Sequence, residues 1–106
     1  MGAFEQMVLL AVLRAGQTDD GAYGIMVYDE LARRTKRRIA RGAVYMTLDR
    51  LEKKGLLSSY LTGPTPQRGG RARRCYVLTR TGTGALRESR RMLMTLWAGM
   101  TLPAEK

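Results

Sequence analysis

Apolar positions recur at helical or alternating spacings along the chain and divide it into six elements. Met7 to Leu13 is apolar at every position, within a segment Phe4 to Ala15 that reads as a first helix. A helix apolar on all sides must be covered on all sides. One face packs on its own domain, and the other needs a second layer, from the C-terminal helix or another chain. Gly16 stops this helix, and Gln17 to Gly21 (QTDDG) has the composition of a turn. Ile25 to about Arg34 is a second helix, with Ile25, Tyr28, Leu31 and Ala32 on one stripe. Thr35 to Ala40 is a linker in which Arg38-Ile39-Ala40 reads as a brief strand. Gly42 to Lys54 is a third helix, with Val44, Leu48 and Leu51 inside and Gly42, Met46, Asp49 and Lys53 nearly opposite. Gly55 ends it as a C′ glycine.

Leu57 to Leu61 (LSSYL) and Arg74 to Leu78 (RCYVL) read as two strands. The loop between them, TGPTPQRGGRAR, makes a long-tipped hairpin stiffened by Pro64 and Pro66. Thr79 or Thr81 caps a last helix from about Gly82 to about Leu102, which Pro103 stops. Its stripe is Ala85, Leu86, Met92, Leu93, Leu96, Trp97 and Met100. At 1.5 Å per residue it is about 30 Å long, as wide as a small domain, so one end overhangs. An overhanging apolar stripe is best buried by a second chain.

Composition narrows the function. A length of 106 residues allows one small domain, and 44% hydrophobic content excludes the disordered class. A single cysteine, Cys75, cannot close a disulfide within the chain. The longest apolar run is far short of the ~20 residues of a membrane helix. With Glu5 and no basic segment at the N-terminus, no secretory signal and a soluble cytoplasmic protein are expected. The absence of histidine removes Ser-His and Cys-His catalysis and most zinc sites. No enzyme activity, cofactor or metal is expected. Adjacent Asp19 and Asp20 read as helix-entry and solubility residues, and Cys75 as a buried structural residue.

The net charge of +10 calls for an anionic partner. Arginine supplies most of it, and its planar fork suits phosphate and guanine. Residues 1–32 hold one basic residue, Arg14, and five acidic ones. Arg33, Arg34, Lys36, Arg37, Arg38 and Arg41 follow without an acid among them. Between Glu52 and Glu88 lie Lys53, Lys54, Arg68, Arg71, Arg73, Arg74, Arg80 and Arg87, again with no acid. Two basic clusters thus flank the third helix. Three helices, a hairpin and a helix, in that order, make a winged helix-turn-helix: mainly α with a two-stranded wing and a long C-terminal dimerisation helix. The expected division is residues 1–80 for DNA binding and 81–106 for dimerisation, packed with the first helix.

Three segments carry a family resemblance. Ala22-Tyr23-Gly24-Ile25 resembles the opening of the second helix in PadR transcriptional regulators. Gly42-Ala43-Val44-Tyr45-Met46-Thr47-Leu48-Asp49-Arg50-Leu51-Glu52-Lys53-Lys54-Gly55-Leu56 is similar to their recognition helix. Arg68-Gly69-Gly70-Arg71, with Cys75 to Gly82 beyond it, resembles their wing and its exit. The resemblance covers about Phe4 to Leu102. It implies a dimeric bacterial regulator, usually a repressor, that binds short inverted repeats and often answers to small aromatic or drug-like effectors. The family commonly has Ser where Ala40 stands. Its loss removes a helix cap worth ~1 kcal/mol and a phosphate donor, a contact that Arg41 can take over.

Expected DNA contacts are Arg41, Tyr45, Arg50, Lys54, Arg68, Arg71 and Arg73 to phosphate, guanine or minor groove, and Ala43, Met46 and Thr47 to base edges. For Arg50 the alternative is an ion pair with Glu52 or Asp49. The expected dimer interface is Met7, Leu10, Leu86, Leu93, Leu96, Trp97 and Met100. Trp97, with Met92 and Met100, is also a candidate effector site, the alternative being simple packing. The competing function is a nucleoid-type protein that binds nucleic acid without specificity.

Overall fold

A computed structural model describes residues 1–19, 21–62 and 73–104. Its elements are α1 (Ala3–Ala15), α2 (Gly24–Thr35), α3 (Arg41–Lys53), β1 (Leu57–Thr62), β2 (Arg73–Leu78) and α4 (Arg80–Trp97). The fold is mainly helical with one antiparallel hairpin, β1 pairing β2 from Leu57↔Leu78 to Thr62↔Arg73. The core gathers Val8, Leu9 and Val12 of α1, Val27 of α2, Leu57 of β1 and the inner stripe of α3. Val44, Leu48 and Leu51 are fully buried, as their spacing predicts.

Two element boundaries differ from the sequence reading. No strand forms at Arg38–Ala40. That segment leads into α3 instead, and the Ala40 carbonyl accepts the Ala43 and Val44 amides at 3.1 and 3.3 Å. The edge of β2 is taken by the end of the α1–α2 turn: the Tyr76 amide donates to the Ala22 carbonyl at 3.0 Å, and Tyr23 bridges to Cys75. Helix α4 ends at Trp97, short of Leu102. Ala98 leaves the helical region and Gly99 takes φ +75°, so a glycine stops the helix four residues before Pro103.

The joint between α3, the wing and α4 is the most closely fitted part of the fold. Gly55 at φ +80° closes α3 in a Schellman turn: the Leu56 amide donates to Leu51 at 3.0 Å and the Gly55 amide to Glu52 at 2.9 Å. Thr79 caps α4, its hydroxyl accepting the Gly82 amide at 3.0 Å and donating to the Gly55 carbonyl at 2.7 Å. The Thr79 amide donates to the Leu56 carbonyl at 3.1 Å. A Cβ on Gly82 would stand 2.0 Å from that same carbonyl oxygen.

From this joint α4 runs for about 27 Å and touches the body mainly through α1 and β2. The molecule measures 57 × 32 × 24 Å with a radius of gyration of 16.1 Å. A compact chain of this length would have about 13 Å, and the excess comes from the projecting helix. Every residue from Arg90 to Met100 is exposed, Leu93, Leu96 and Trp97 included.

Gly82→Ala is expected to destabilise the fold by about 1–3 kcal/mol, because the clash is with backbone rather than a movable side chain. Urea denaturation followed by circular dichroism measures it; an unchanged midpoint contradicts the close approach.

Candidate nucleic-acid interface

Helix α3 turns Gly42, Ala43, Met46 and Arg50 away from the core, and Met46 is 66% exposed. Thr47 is not among them: it is 3% exposed and packs inside. Its place follows from the spacing, since position 47 lies one turn from both Val44 and Leu51 on the inner stripe. Thr47 therefore stands apart from the base-edge group expected of it.

The cations around α3 fall into two kinds. Arg37, Arg38 and Arg41 have no carboxylate within ion-pair distance among the described residues. The Arg41 guanidinium lies 5.2 Å from the centre of the Tyr28 ring, which sets its direction at the start of α3. Ala40, the N-cap, supplies no side-chain bond to that first turn. Arg33 and Arg34 are instead held at 2.7 and 2.5 Å by Glu30, whose carboxyl the Arg34 hydrogen bond pulls below its ordinary value despite burial.

The C-terminal end of α3 has a partner that the sequence reading missed. Glu5 of α1, 8% exposed, accepts from Lys54 Nζ at 2.9 and 3.2 Å and lies 3.8 Å from Arg50 Nη1. Neither Asp49 nor Glu52 takes that role for Arg50. The Lys54 hydrogen bond outweighs burial and holds the Glu5 carboxyl below its ordinary value. The stabilisation is thus complete above the usual carboxylate range and is lost as pH falls through the lowered value. Nothing in the local pattern signals a pairing across 49 residues.

A second tie joins α3 to the wing. Arg74 Nη1 donates to Ser59 Oγ at 2.7 Å, and the Ser59 hydroxyl donates to Glu52 Oε2 at 2.6 Å. Beside it, a cleft of roughly 420 Å³ is lined by Tyr23, Gly24, Tyr45, Arg73, Arg74 and Tyr76. Tyr45 is half-exposed, and its ring lies so close to Gly24 that a Cβ there would meet it at 2.4 Å. The ring thus packs on the start of α2, not on the α2–α3 linker. Arg73 lies 5.4 Å from the Tyr23 ring centre. Helix α2 begins in this cleft with no side-chain cap, leaving its first amides for other acceptors. The cleft therefore joins phosphate-type donors from three elements. Arg68 and Arg71 lie outside the described residues.

On the opposite side, Leu10, Leu13, Leu86, Leu93, Met94 and Trp97 line an apolar groove of roughly 590 Å³ between α1 and α4. Arg87 and Arg90 also line it. Met92 lies instead with Leu96 on another face, and Met100 beyond the helix end is not part of the groove; Met94 stands in their place. Met7 is half-buried against the core and faces Phe4 and Ile39 rather than Trp97.

A three-helix unit with a hairpin wing, an outward helix between two sets of arginines and an uncovered C-terminal helix define a winged-helix protein. The model of the transcriptional regulator PadR-like family matches residues 9–88. Transcriptional regulator Rv3488 of Mycobacterium tuberculosis is 42% identical over 80 residues, covering 74% of this chain and 68% of that protein. The crystal structure of a PadR-like transcription factor from Bacteroides fragilis superposes with a TM-score of 0.70 at 24% identity, over 88% of this chain and 82% of that one. A winged-helix DNA-binding protein of STIV gives 0.70 at 17% identity, over 95% and 98%. The chain belongs to the PadR-like family of transcriptional regulators, which places it among regulators rather than enzymes.

Arg73→Ala is expected to weaken binding to all duplex sequences alike and to lower the log–log salt slope by about one. Fluorescence anisotropy between about 50 and 200 mM salt measures both; a changed base preference would instead make Arg73 a base reader.

Proposed function

We propose that this chain is a dimeric, sequence-specific DNA-binding regulator, of repressor type, acting on a short inverted repeat. The observation that carries the reading is the outward face of α3. Ala43 and Met46 stand exposed between arginines that have no partner carboxylate among the described residues on one side and a partly neutralised cationic end on the other. Apolar side chains in that position suit thymine methyls, and flanking cations suit phosphates. Arg41 contacts phosphate at the start of α3, Tyr45 beside the start of α2, Arg50 and Lys54 at the far end of α3, and Arg73 on the wing, where Arg68 and Arg71 are expected to join it. Residues 1–80 form the DNA-binding unit, and the remainder, residues 81–106, serves dimerisation through α4.

Dimerisation is supported by the bare face of α4. Leu93, Met94 and Trp97 are each about half exposed or more, and Leu10 and Leu13 of α1 continue the same apolar surface. A second copy covers it and sets two recognition helices about one helical turn of DNA apart. The α1–α4 groove beside Trp97 is the place for a flat hydrophobic or aromatic effector. A cytoplasmic location close to the nucleoid follows from this role.

Selection from a randomised duplex library at physiological salt tests the function. An enriched inverted repeat with half-sites one turn apart is expected; retention without a motif would leave only the nucleoid-type reading. Leu93→Asp is expected to halve the mass measured by light scattering, and an unchanged mass would overturn the α4 dimer.

A further inference from the structure

We propose that Glu5 is a positioning residue that sets the strength and salt dependence of DNA binding: from α1 it withholds one positive charge of the Arg50–Lys54 pair from phosphate, which weakens the electrostatic part of binding to every sequence. The inference rests on the reading of α3 as the helix that enters the groove.

The geometry is one carboxylate against two cations. Glu5 reaches Lys54 Nζ with both oxygens, at 3.2 and 2.9 Å, and Arg50 Nη1 at 3.8 Å. Its remaining contact is the Gly2 amide at 3.4 Å, which anchors it within its own helix. Arg50 and Lys54 are one turn apart on the same side of α3, so both present charge to one stretch of backbone. Their side chains are 52% and 49% exposed, while the Glu5 side chain is 10% exposed. The cations therefore face outward, and the carboxylate sits behind them, where it is poorly screened. The three groups together offer +1 where the two cations alone would offer +2.

Glu30, the other buried carboxylate among the described residues, differs in kind. Its partners Arg33 and Arg34 are three and four residues away on the same helix. Glu5 acts across the fold, on the helix that carries the outward apolar side chains. Its carboxyl is held below its ordinary value, so the negative charge is fixed throughout the neutral range.

Indiscriminate binding is almost wholly electrostatic, and each phosphate neutralised adds about 0.9 to the salt slope. Binding to an operator adds base-edge contacts that the carboxylate does not touch. Withholding one unit of effective charge therefore weakens binding to operator and to random sequence by the same factor and flattens the salt dependence of both.

The test compares wild type, Glu5→Gln and the double variant Glu5→Gln/Lys54→Gln by fluorescence anisotropy. The probes are the duplex selected from the random library and a scrambled duplex of equal length, between about 50 and 200 mM salt. Glu5→Gln is expected to steepen the slope on both duplexes by about 0.9 and to leave the operator-to-scrambled ratio unchanged. The double variant again offers +1 and is expected to restore the wild-type slope. If Glu5 exerts no field, the double variant instead falls about 0.9 below wild type, which overturns the proposal even where the single variant does not fold. A folded Glu5→Gln with unchanged slope also overturns it, as does a changed ratio without a changed slope, which would make Glu5 only a tether for α3. Wild type that retains neither duplex would overturn the groove reading itself; wild type that binds while Glu5→Gln behaves identically overturns only the role of Glu5.

Discussion

Helix α1 has no polar side over two turns, and the rest of the molecule is arranged to cover it. Val8, Leu9, Ala11, Val12 and Ala15 are buried, with α2, α3 and β2 packed around them. Leu10 and Leu13 line the groove toward α4, and about half of each side chain stays exposed. A helix apolar all round is stable only when surrounded, and one chain surrounds this one incompletely. The same helix carries Glu5, so the element at the centre of the hydrophobic packing also touches the charged end of α3. Core, bare face and candidate interface share a single support.

Most of the fold was legible because it rests on local periodicity. The inner stripe of α3, the two strands and the capping Thr79 all follow from short-range patterns. The misread positions are those where a local pattern has two solutions. Thr47 looked like an outward hydroxyl because it is polar, but its position in the turn places it inside. Pro103 looked like the helix stop, yet Gly99 comes first and can take the left-handed conformation. Arg38–Ala40 has strand-like residues but no edge to pair with, whereas Ala22–Tyr23 lies beside β2.

The candidate site was legible as a composition and less so as a set of roles. Sequence shows the cations in clusters and cannot show which of them a distant carboxylate already holds. Arg33 and Arg34 are engaged by a neighbour three or four residues away, which local spacing does allow. Lys54 is engaged from 49 residues away, and only the packing of α1 on α3 brings the two together. The Arg74–Ser59–Glu52 chain likewise needs the hairpin register before it exists. The count of 19 Lys and Arg residues therefore overstates how many cations are free to meet an anion.

The joint at Gly55, Leu56, Thr79 and Gly82 binds the end of α3 to the beginning of α4 with no flexible linker between them. With a long helix rooted there, the joint works as the fulcrum of a lever. A tilt of about 10° at the root carries the far end of a 27 Å helix by about 5 Å.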